Sequence, residues 1–465
     1  MKTLVFLLFL SATSLASVVN GQSMASSGPP NIVVILVDDM GYSDLGCFGS
    51  EIQTPRLDAL AANGLRFSQM YNTAKCYPTR ASLLTGLYFQ RTNRSFDHTA
   101  TLGEVLRPAG YRTLWSGKHH ANFNPKTRGF DRFYGLLGGA QNHFNPGSTA
   151  APGQSRPARK GDSNSWDLDG ETVRDFVPED PAYFDSDAFT DYALQWLDEY
   201  ADEDQPFLLY LSYTAPHWPL QAWPRDIAKY AGVYDVGYDV IRAARYQKQI
   251  EIGLVDPAIS PLSEMNHGRR GKAWALLSPQ EQRDEAKRME IYAAMVDNVD
   301  QNVGRLVDQL EAQGELDNTL ILFLSDNGAC AEIPQVEYVD PTAPMGTVGS
   351  YDSYGESWAT VGNTPLRRWK SSSYEGGVRT SLVAHWPAGI KAPGSWIHEP
   401  AHVIDLMPTV LEIGQGTYPG EAVASAIAPP DGVSLVPAFE GRSVERAAPL
   451  FFQFNKGAAV RDGDW

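Results

Sequence analysis

An α/β fold, with a large and mostly parallel sheet flanked by helices, is what the sequence predicts, and three observations predict it. Residues 31–37 (NIVVILV) form an unbroken β-branched and apolar run, the pattern of a strand covered on both faces. Two similar runs, 206–213 (PFLLYLSY) and 319–324 (TLILFL), recur far along the chain. Helical patterns lie between them, and that alternation is the rhythm of βαβ units. With 43% hydrophobic and 20% charged residues, the 465-residue chain can bury a core. Its length allows about two or three domains.

The chain opens MKTLVFLLFLSATSLASVVNGQ: one Lys, an apolar run over 4–10, then small residues offering cleavage after Ala16 or Gly21. This reads as a secretory signal over residues 1–21. The run falls well short of the roughly 20 residues a bilayer requires, and no Cys near the cleavage site offers a lipid attachment point. The expectation is a secreted or periplasmic protein with no membrane anchor.

After the first strand, Thr54-Pro55 and the following RLDALAANG read as a helix with an N-cap, Pro in its first turn and Gly64 at its end. Residues 101–110 read as helical and 111–115 as extended. The segments 145–180 and 339–354 are rich in turn residues or lack periodicity, and read as excursions near strand ends. Tyr292, Met295, Val299, Val303, Leu306 and Leu310 fall three or four apart, describing a long amphipathic helix between Arg288 and Gly314. Beyond Pro400 a helical stretch over 403–413 precedes two short runs, 451–454 and 458–461, around Asn-Lys-Gly, which read as a β-hairpin. The expected organisation is a signal over 1–21, a catalytic body over 28–399 and a smaller α+β subdomain over 400–465. That subdomain reads as truncated after Trp465.

With 38 Lys and Arg against 55 Asp and Glu, the net charge is −17, which argues against a nucleic-acid binder held by phosphate neutralisation. An anionic substrate therefore needs a local cationic pocket. Three cysteines, Cys47, Cys76 and Cys330, are too few for a disulfide scaffold.

Asp38-Asp39 stands directly after the first buried strand, where an open α/β sheet places its ligand site. Ser325-Asp326-Asn327-Gly328 follows the 319–324 strand in the same way. Taken singly these are ordinary, since Asp-Asn-Gly is a common hairpin turn and an acidic pair after a strand is usually solvated. Together they make an all-oxygen donor set suited to a hard cation such as Ca²⁺ and poorly suited to zinc.

The segment Cys76-Tyr77-Pro78-Thr79-Arg80-Ala81-Ser82-Leu83-Leu84-Thr85-Gly86 resembles the signature of the formylglycine-dependent sulfatases. A buried Cys heading a helix is otherwise a small hydrophobe or a weakly activated thiol. The likeness continues in order through N-I-V-V-I-L-V-D-D-M-G-Y-S-D-L-G, Gly117-Lys118-His119-His120, Ala215-Pro216-His217, Ser325-Asp326-Asn327-Gly328, Asn363-Thr364-Pro365-Leu366-Arg367, Lys370 and Glu375-Gly376-Gly377. Among the family, 353–390 looks most like bacterial arylsulfatases.

The resemblance implies an alkaline-phosphatase-like α/β sandwich and hydrolysis of an aryl sulfate or sulfated carbohydrate. It implies that Asp38, Asp39, Asp326 and Asn327, together with residue 76, hold calcium. Cys76 would be converted by a formylglycine-generating enzyme to a hydrated formylglycine, which takes up the sulfate covalently. Arg80 would orient that group, Lys118 and Lys370 would bind sulfate oxygens, and His120 and His217 would move protons. Arg367 and Arg368 would complete a basic pocket. Singly, a His after a strand or a Gly-Lys-His-His turn is more often structural than catalytic; their joint occurrence at strand ends reverses that. Trp115, Trp218, Trp223 and Trp369 could stack on a ring or seal the core. His119 departs from the aromatic that the family carries there. A formylglycine-dependent phosphodiesterase or phosphonate monoester hydrolase, and a catalytically silent sulfated-glycan-binding protein, are the competing readings. Cys47 and Cys330 follow the two metal-ligand loops, and an oxidising compartment permits a bond between them if their Cα atoms come within about 7 Å.

Overall fold

The computed structural model describes residues 28–92, 96–161, 165–419, 427–463 and 465; the signal expected over 1–21 lies outside them. The strands are β1 (Asn31–Val37), β2 (Leu65–Tyr71), β3 (Arg112–Gly117), β4 (Arg132–Leu136), β5 (Ser165–Leu168), β6 (Thr172–Arg174), β7 (Phe207–Ser212), β8 (Thr319–Ser325), β9 (Arg379–His385), β10 (Ser395–Ile397) and β11 (Ala401–His402), with a later hairpin of β12 (Leu450–Phe454) and β13 (Gly457–Arg461). The first eleven form one mixed sheet in the order β10-β2-β9-β8-β1-β7-β3-β4-β5-β6, with β11 also on β2. Its middle, β8-β1-β7-β3-β4, is parallel throughout, while β9 joins antiparallel to β2 and β8.

Alternation along β1 explains why all seven of its residues are buried. Val33, Ile35 and Val37 pack on one face with the helices Pro55–Ala62, Asp185–Glu199 and Pro279–Ala312. Ile32, Val34 and Leu36 pack on the other with Cys76–Thr85, Leu102–Leu106 and Leu406–Ile413. The long amphipathic helix begins earlier than its apolar periodicity suggested, at Pro279, because Ser278 and Glu281 form a capping box.

Three local readings need correction. The excursion at 145–180 contributes β5 and β6 to the sheet edge, their pairing set by contacts with β4 that no local pattern records. Thr54 stands at the N-cap of the Pro55–Ala62 helix, but its hydroxyl donates to Asp58 Oδ1 at 3.1 Å. The orphan N–H groups of Arg56 and Leu57 donate instead to Asp300 on the long helix, at 3.1 and 2.8 Å. Cys47 and Cys330 are free thiols. Cys47 packs beside the Pro55–Ala62 helix, where its N–H donates to Asp58 Oδ1 at 2.7 Å, whereas Cys330 packs with Ala158, Trp218 and Tyr351.

Residues beyond Pro400 remain in contact with the large sheet: β11 pairs with β2, and Leu406, Met407, Val410, Leu435 and Phe439 share its core. The β12–β13 hairpin is a separate sheet, laid against the end of β2 through Phe452 and Tyr71, whose rings are 5.1 Å apart. Among the described residues no helix is long and apolar enough to cross a membrane.

Removing the borrowed cap tests this packing. Asp300→Ala leaves two buried helix-start donors without acceptors and lowers unfolding free energy by about 1–2 kcal/mol, measured as a fall in urea midpoint. Asp308→Ala, which removes the exposed partner of Arg56, shifts it by less than about 0.5 kcal/mol. Equal effects would show that Asp300 is not the cap.

Candidate active site

The C-terminal ends of the central parallel strands converge at one place. In register, Val37 at the end of β1 lies beside Ser325 of β8, Leu36 beside Ser212 of β7, and Ser212 beside Gly117 of β3. The next residues are therefore Asp38, Asp326, the 213–217 loop and Lys118. This is the location an open α/β sheet gives its ligand. Gly117 permits the closeness: its φ is +118°, and a Cβ there would lie 1.9 Å from the Ser212 carbonyl oxygen. The Lys118 N–H then donates to that same oxygen at 2.7 Å.

Asp38, Asp39 and Asp326 are at most 1% exposed. Lys118 Nζ pairs with Asp38 Oδ2, and Lys370 Nζ reaches both Asp39 oxygens at 2.6 and 2.7 Å. Arg80 donates through Nε to Asp326 Oδ2 at 3.0 Å and through Nη1 to the Lys118 carbonyl at 3.1 Å and Ser212 Oγ at 3.2 Å. Burial alone raises a carboxyl pKa, yet Lys118, His217, Arg80 and Lys370 hold Asp38 well below the usual range. Asp39 is lowered too, with Lys370 the strongest force against burial. Asp326 goes the other way, pushed up to about 7 by burial and by the Asp38 charge.

That imbalance fits a cation. Asp38 Oδ1 and Asn327 Oδ1 are buried and, among the described residues, accept no hydrogen bond. Asn327 donates its amide to Asp39 Oδ1 at 2.8 Å, leaving its oxygen for another partner. Ligand atoms of Asp38, Cys76 and Asp326 lie within 4.8 Å of one another. The predicted donors Asp38, Asp39, Asp326 and Asn327 are thus together, all oxygen, and suit a hard divalent ion.

Cys76 heads the helix Cys76–Thr85, and Arg80 follows one turn later. The loop before it is tied down on two sides: Thr79 Oγ1 accepts from Thr73 N at 3.1 Å, and the Ala74 carbonyl accepts from Ser371 N at 2.7 Å. Residue 76 is thereby fixed against the loop carrying Lys370. Burial raises the Cys76 thiol despite Lys370 and Lys118 nearby. The unmodified side chain is therefore a protonated thiol and a poor nucleophile.

His217 and His120 flank this centre. His217 Nε2 is 3.4 Å from Asp39 Oδ2, and its Nδ1 lies 2.6 Å from the Trp218 carbonyl. Burial brings its pKa down to about 4, with Asp39 and Asp38 opposing. His120 is held well below the ordinary value by burial and then by Lys118, and packs edge-on to Tyr77 at 5.8 Å. Both rings are neutral. Asp39, Ala74 and His120 all have positive φ, at 71°, 64° and 63°, so left-handed backbone, costing of order 1–2 kcal/mol per residue, is concentrated here.

Every predicted site residue is brought together except Arg367 and Arg368. These are exposed and lie over the Tyr374 ring, so they leave the basic pocket to Arg80, Lys118 and Lys370. His119 takes an aromatic position, packed 4.4 Å from Phe123 and 4.8 Å from Trp115 and lowered to about 3 by burial. Trp115 is core, whereas Trp218 flanks His217.

Sequence reasoning missed a supporting group behind His217. His143 Nδ1 pairs with Asp185 at 2.9 Å, and its Nε2 lies 3.0 Å from the His217 carbonyl. Burial lowers and Asp185 raises His143, with Asp185 prevailing. With Asp185 at one ring nitrogen and the His217 carbonyl at the other, the ring ties the His217 backbone to Asp185. Asn363 was visible only as part of a motif: its Oδ1 accepts from Tyr42 N at 3.2 Å and Ala329 N at 3.1 Å, and its Nδ2 donates to the Gly376 carbonyl at 2.8 Å. It joins the three loops that carry Asp38, Asp326 and Lys370.

Comparison with known proteins agrees with this geometry. The sulfatase family model matches residues 30–416. An arylsulfatase of Klebsiella aerogenes is 34% identical over 451 residues, covering 89% of this chain and 93% of its own. An uncharacterised sulfatase of Schizosaccharomyces pombe is 35% identical over 436 residues, covering 85% and 77%. Among solved structures, that of Ps i-CgsB in complex with k-i-k-neocarrahexaose has a TM-score of 0.65 at 26% identity, covering 93% of this chain and 82% of that one.

The donor set predicts a stability response to metal. Calcium at about 100 times its Kd should stabilise metal-free protein by about 2.7 kcal/mol, read as a rise in thermal midpoint, and Asp326→Asn combined with Asn327→Ala should remove that rise. An equal rise in the variant would place the cation elsewhere.

Proposed function

The chain belongs to the sulfatase family, and from that premise we propose that it hydrolyses sulfate esters through a formylglycine made from Cys76, with calcium bound by Asp38, Asp39, Asp326, Asn327 and residue 76. The observation that carries this reading is the position of Cys76: at a helix start, within a ligand's reach of Asp38 and Asp326, beside Arg80, Lys118 and Lys370. A hydrated aldehyde at residue 76 supplies two hydroxyls on one carbon, one to take up sulfate and one to release it. Calcium held by Asp38, Asp39, Asp326, Asn327 and residue 76 would supply fixed positive charge to the site.

The chain's own residues do the rest. Lys118 and Lys370 hold the sulfate oxygens, and Arg80 stays charged because Asp326 and Asp38 outweigh its burial. Such fixed charges stabilise the transition state without reorganising. His217 protonates the departing alcohol oxygen; the negative charge of a bound ester raises its pKa from about 4, the direction an acid requires. His120, neutral in the free protein, removes the proton of the second hydroxyl. Substrates are aryl sulfates or sulfated carbohydrates. The N-terminal pattern favours a secreted or periplasmic protein that meets its formylglycine-generating enzyme during maturation.

Protein made with a maturing enzyme should carry a hydrazide-reactive aldehyde at residue 76, lose turnover on chelation and regain it with calcium. It should release sulfate from a nitrophenyl sulfate faster than it cleaves the matched phosphodiester. Full activity with an unmodified Cys76 thiol would overturn the reading, and preference for the phosphodiester would favour the phosphodiesterase alternative.

The two histidines should separate by leaving group. His217→Ala should cost little with nitrophenyl sulfate, whose leaving group needs no proton, and about 10²–10⁴-fold with an alkyl or sugar sulfate. His120→Ala should release phenol in a burst and then stall with sulfate on residue 76. Equal losses for His217→Ala on both ester classes would remove it as the acid.

A further inference from the structure

Beside Trp218 lies a cavity of about 500 Å³ whose walls include Lys160, Trp218, Arg269, Arg270, Glu332 and Glu356. Two of these walls adjoin the reaction centre. The Trp218 and His217 rings are 4.2 Å apart, and Glu332 pairs with Lys75, the residue before Cys76. Lys160 Nζ stands 4.8 Å from the centroid of the Trp218 ring.

Three features mark this cavity as a place for a charged ligand. Among the described residues Lys160, Arg269 and Arg270 form no ion pair, while the two carboxylates are engaged: Glu332 by Lys75 and Glu356 by the Arg270 backbone N–H at 2.7 Å. Positive charge is thus in local excess in a chain of net charge −17. Trp218 is 7% exposed, and its buried indole N–H has no acceptor, a donor that a ligand oxygen would satisfy. An indole with the Lys160 ammonium over its face, in one cavity with two arginines, offers a sugar ring an apolar surface and an anion several cationic donors.

We infer that this cavity is a subsite for a second anionic group, a sulfate or carboxylate, on the leaving alcohol. The preferred substrate is then a doubly charged sulfated carbohydrate, and Lys160, Trp218, Arg269 and Arg270 determine that preference. The inference rests on the sulfate-ester reading of the neighbouring site. A simple aryl sulfate would reach the reaction centre but leave this cavity untouched.

The test measures sulfate release by the matured protein from nitrophenyl sulfate and from matched mono- and disulfated monosaccharides, alongside calorimetric binding of the disulfated sugar. The wild type should favour the disulfated sugar over the monosulfated one by tenfold or more in kcat/KM, mainly through KM, and added salt should erode that advantage. The triple variant Lys160→Ala, Arg269→Ala, Arg270→Ala should lose at least ten times more on the disulfated sugar than on nitrophenyl sulfate. Trp218→Phe, which keeps an aromatic face but removes the N–H, should lose part of the same preference. Equal losses on all esters, or no wild-type preference, would overturn the subsite. If no ester were cleaved, the hydrolytic reading would fall. Binding of the disulfated sugar that the triple variant loses would still uphold the subsite, and equal binding by both proteins would end it.

Discussion

Three carboxylates, Asp38, Asp39 and Asp326, are buried side by side at the ends of β1 and β8, and the surrounding architecture serves to make that tolerable. Like charges a few ångströms apart in a poorly polarisable interior repel strongly, and each has also lost its hydration. The compensation comes from three distant parts of the chain, Arg80 on a helix, Lys118 after β3 and Lys370 on the loop before β9, and from the amide of Asn327 next to Asp326. Even so the balance is incomplete, since Asp326 is driven up to about 7 and, among the described residues, the buried Asp38 Oδ1 and Asn327 Oδ1 accept nothing. A divalent ion would remove both defects together.

This requirement accounts for the sheet order. Only parallel strands deliver their C-terminal ends to one edge, and β1, β3, β7 and β8 do so side by side. Helices on both faces exclude water from the strands, and the close contact at Gly117 and Ser212 sets Lys118 against the Asp38 loop. The left-handed backbones of Asp39, Ala74 and His120 are the cost of turning sharply from those ends into the site. The tie of Asn363 to three loops holds the turns in place.

What could be read from the sequence is what is local to a strand end. Buried strands announce themselves by continuous apolar runs, and at β1 and β8 the residues just after the run are the candidate ligands, so Asp38 and Asp326 were legible, whereas Lys118 was legible only through the Gly-Lys-His-His motif of the resemblance. Cys76 and Arg80 were legible through the signature segment 76–86, which the structure forms as one helix with the two a turn apart. Partnerships that span the fold were not. His143 and Asp185 are 42 residues apart, and neither carries a local pattern that names the other. Asp300 caps a helix that lies more than 240 residues earlier, while Thr54, at the position where a cap is read, turns to Asp58. Arg367 and Arg368 failed for the opposite reason: nearness to Lys370 in sequence suggested the pocket, but the turn at Arg368, with φ of 67°, sends both toward Tyr374 and solvent.

An acidic protein that takes an anionic ester presents an apparent contradiction, and distance resolves it. At physiological ionic strength the far field of surface carboxylates is screened within about 8 Å, so the charge of −17 does little at the mouth of the site. The buried cations act differently, because no salt or bulk water would intervene between them and a sulfate held as proposed. Arg80, Lys118 and Lys370 are at most 3% exposed, and a charge already desolvated and already oriented needs no further reorganisation when the ester's charge shifts. Net charge therefore governs solubility and encounter, while the local order of three carboxylates and three cations governs the chemistry.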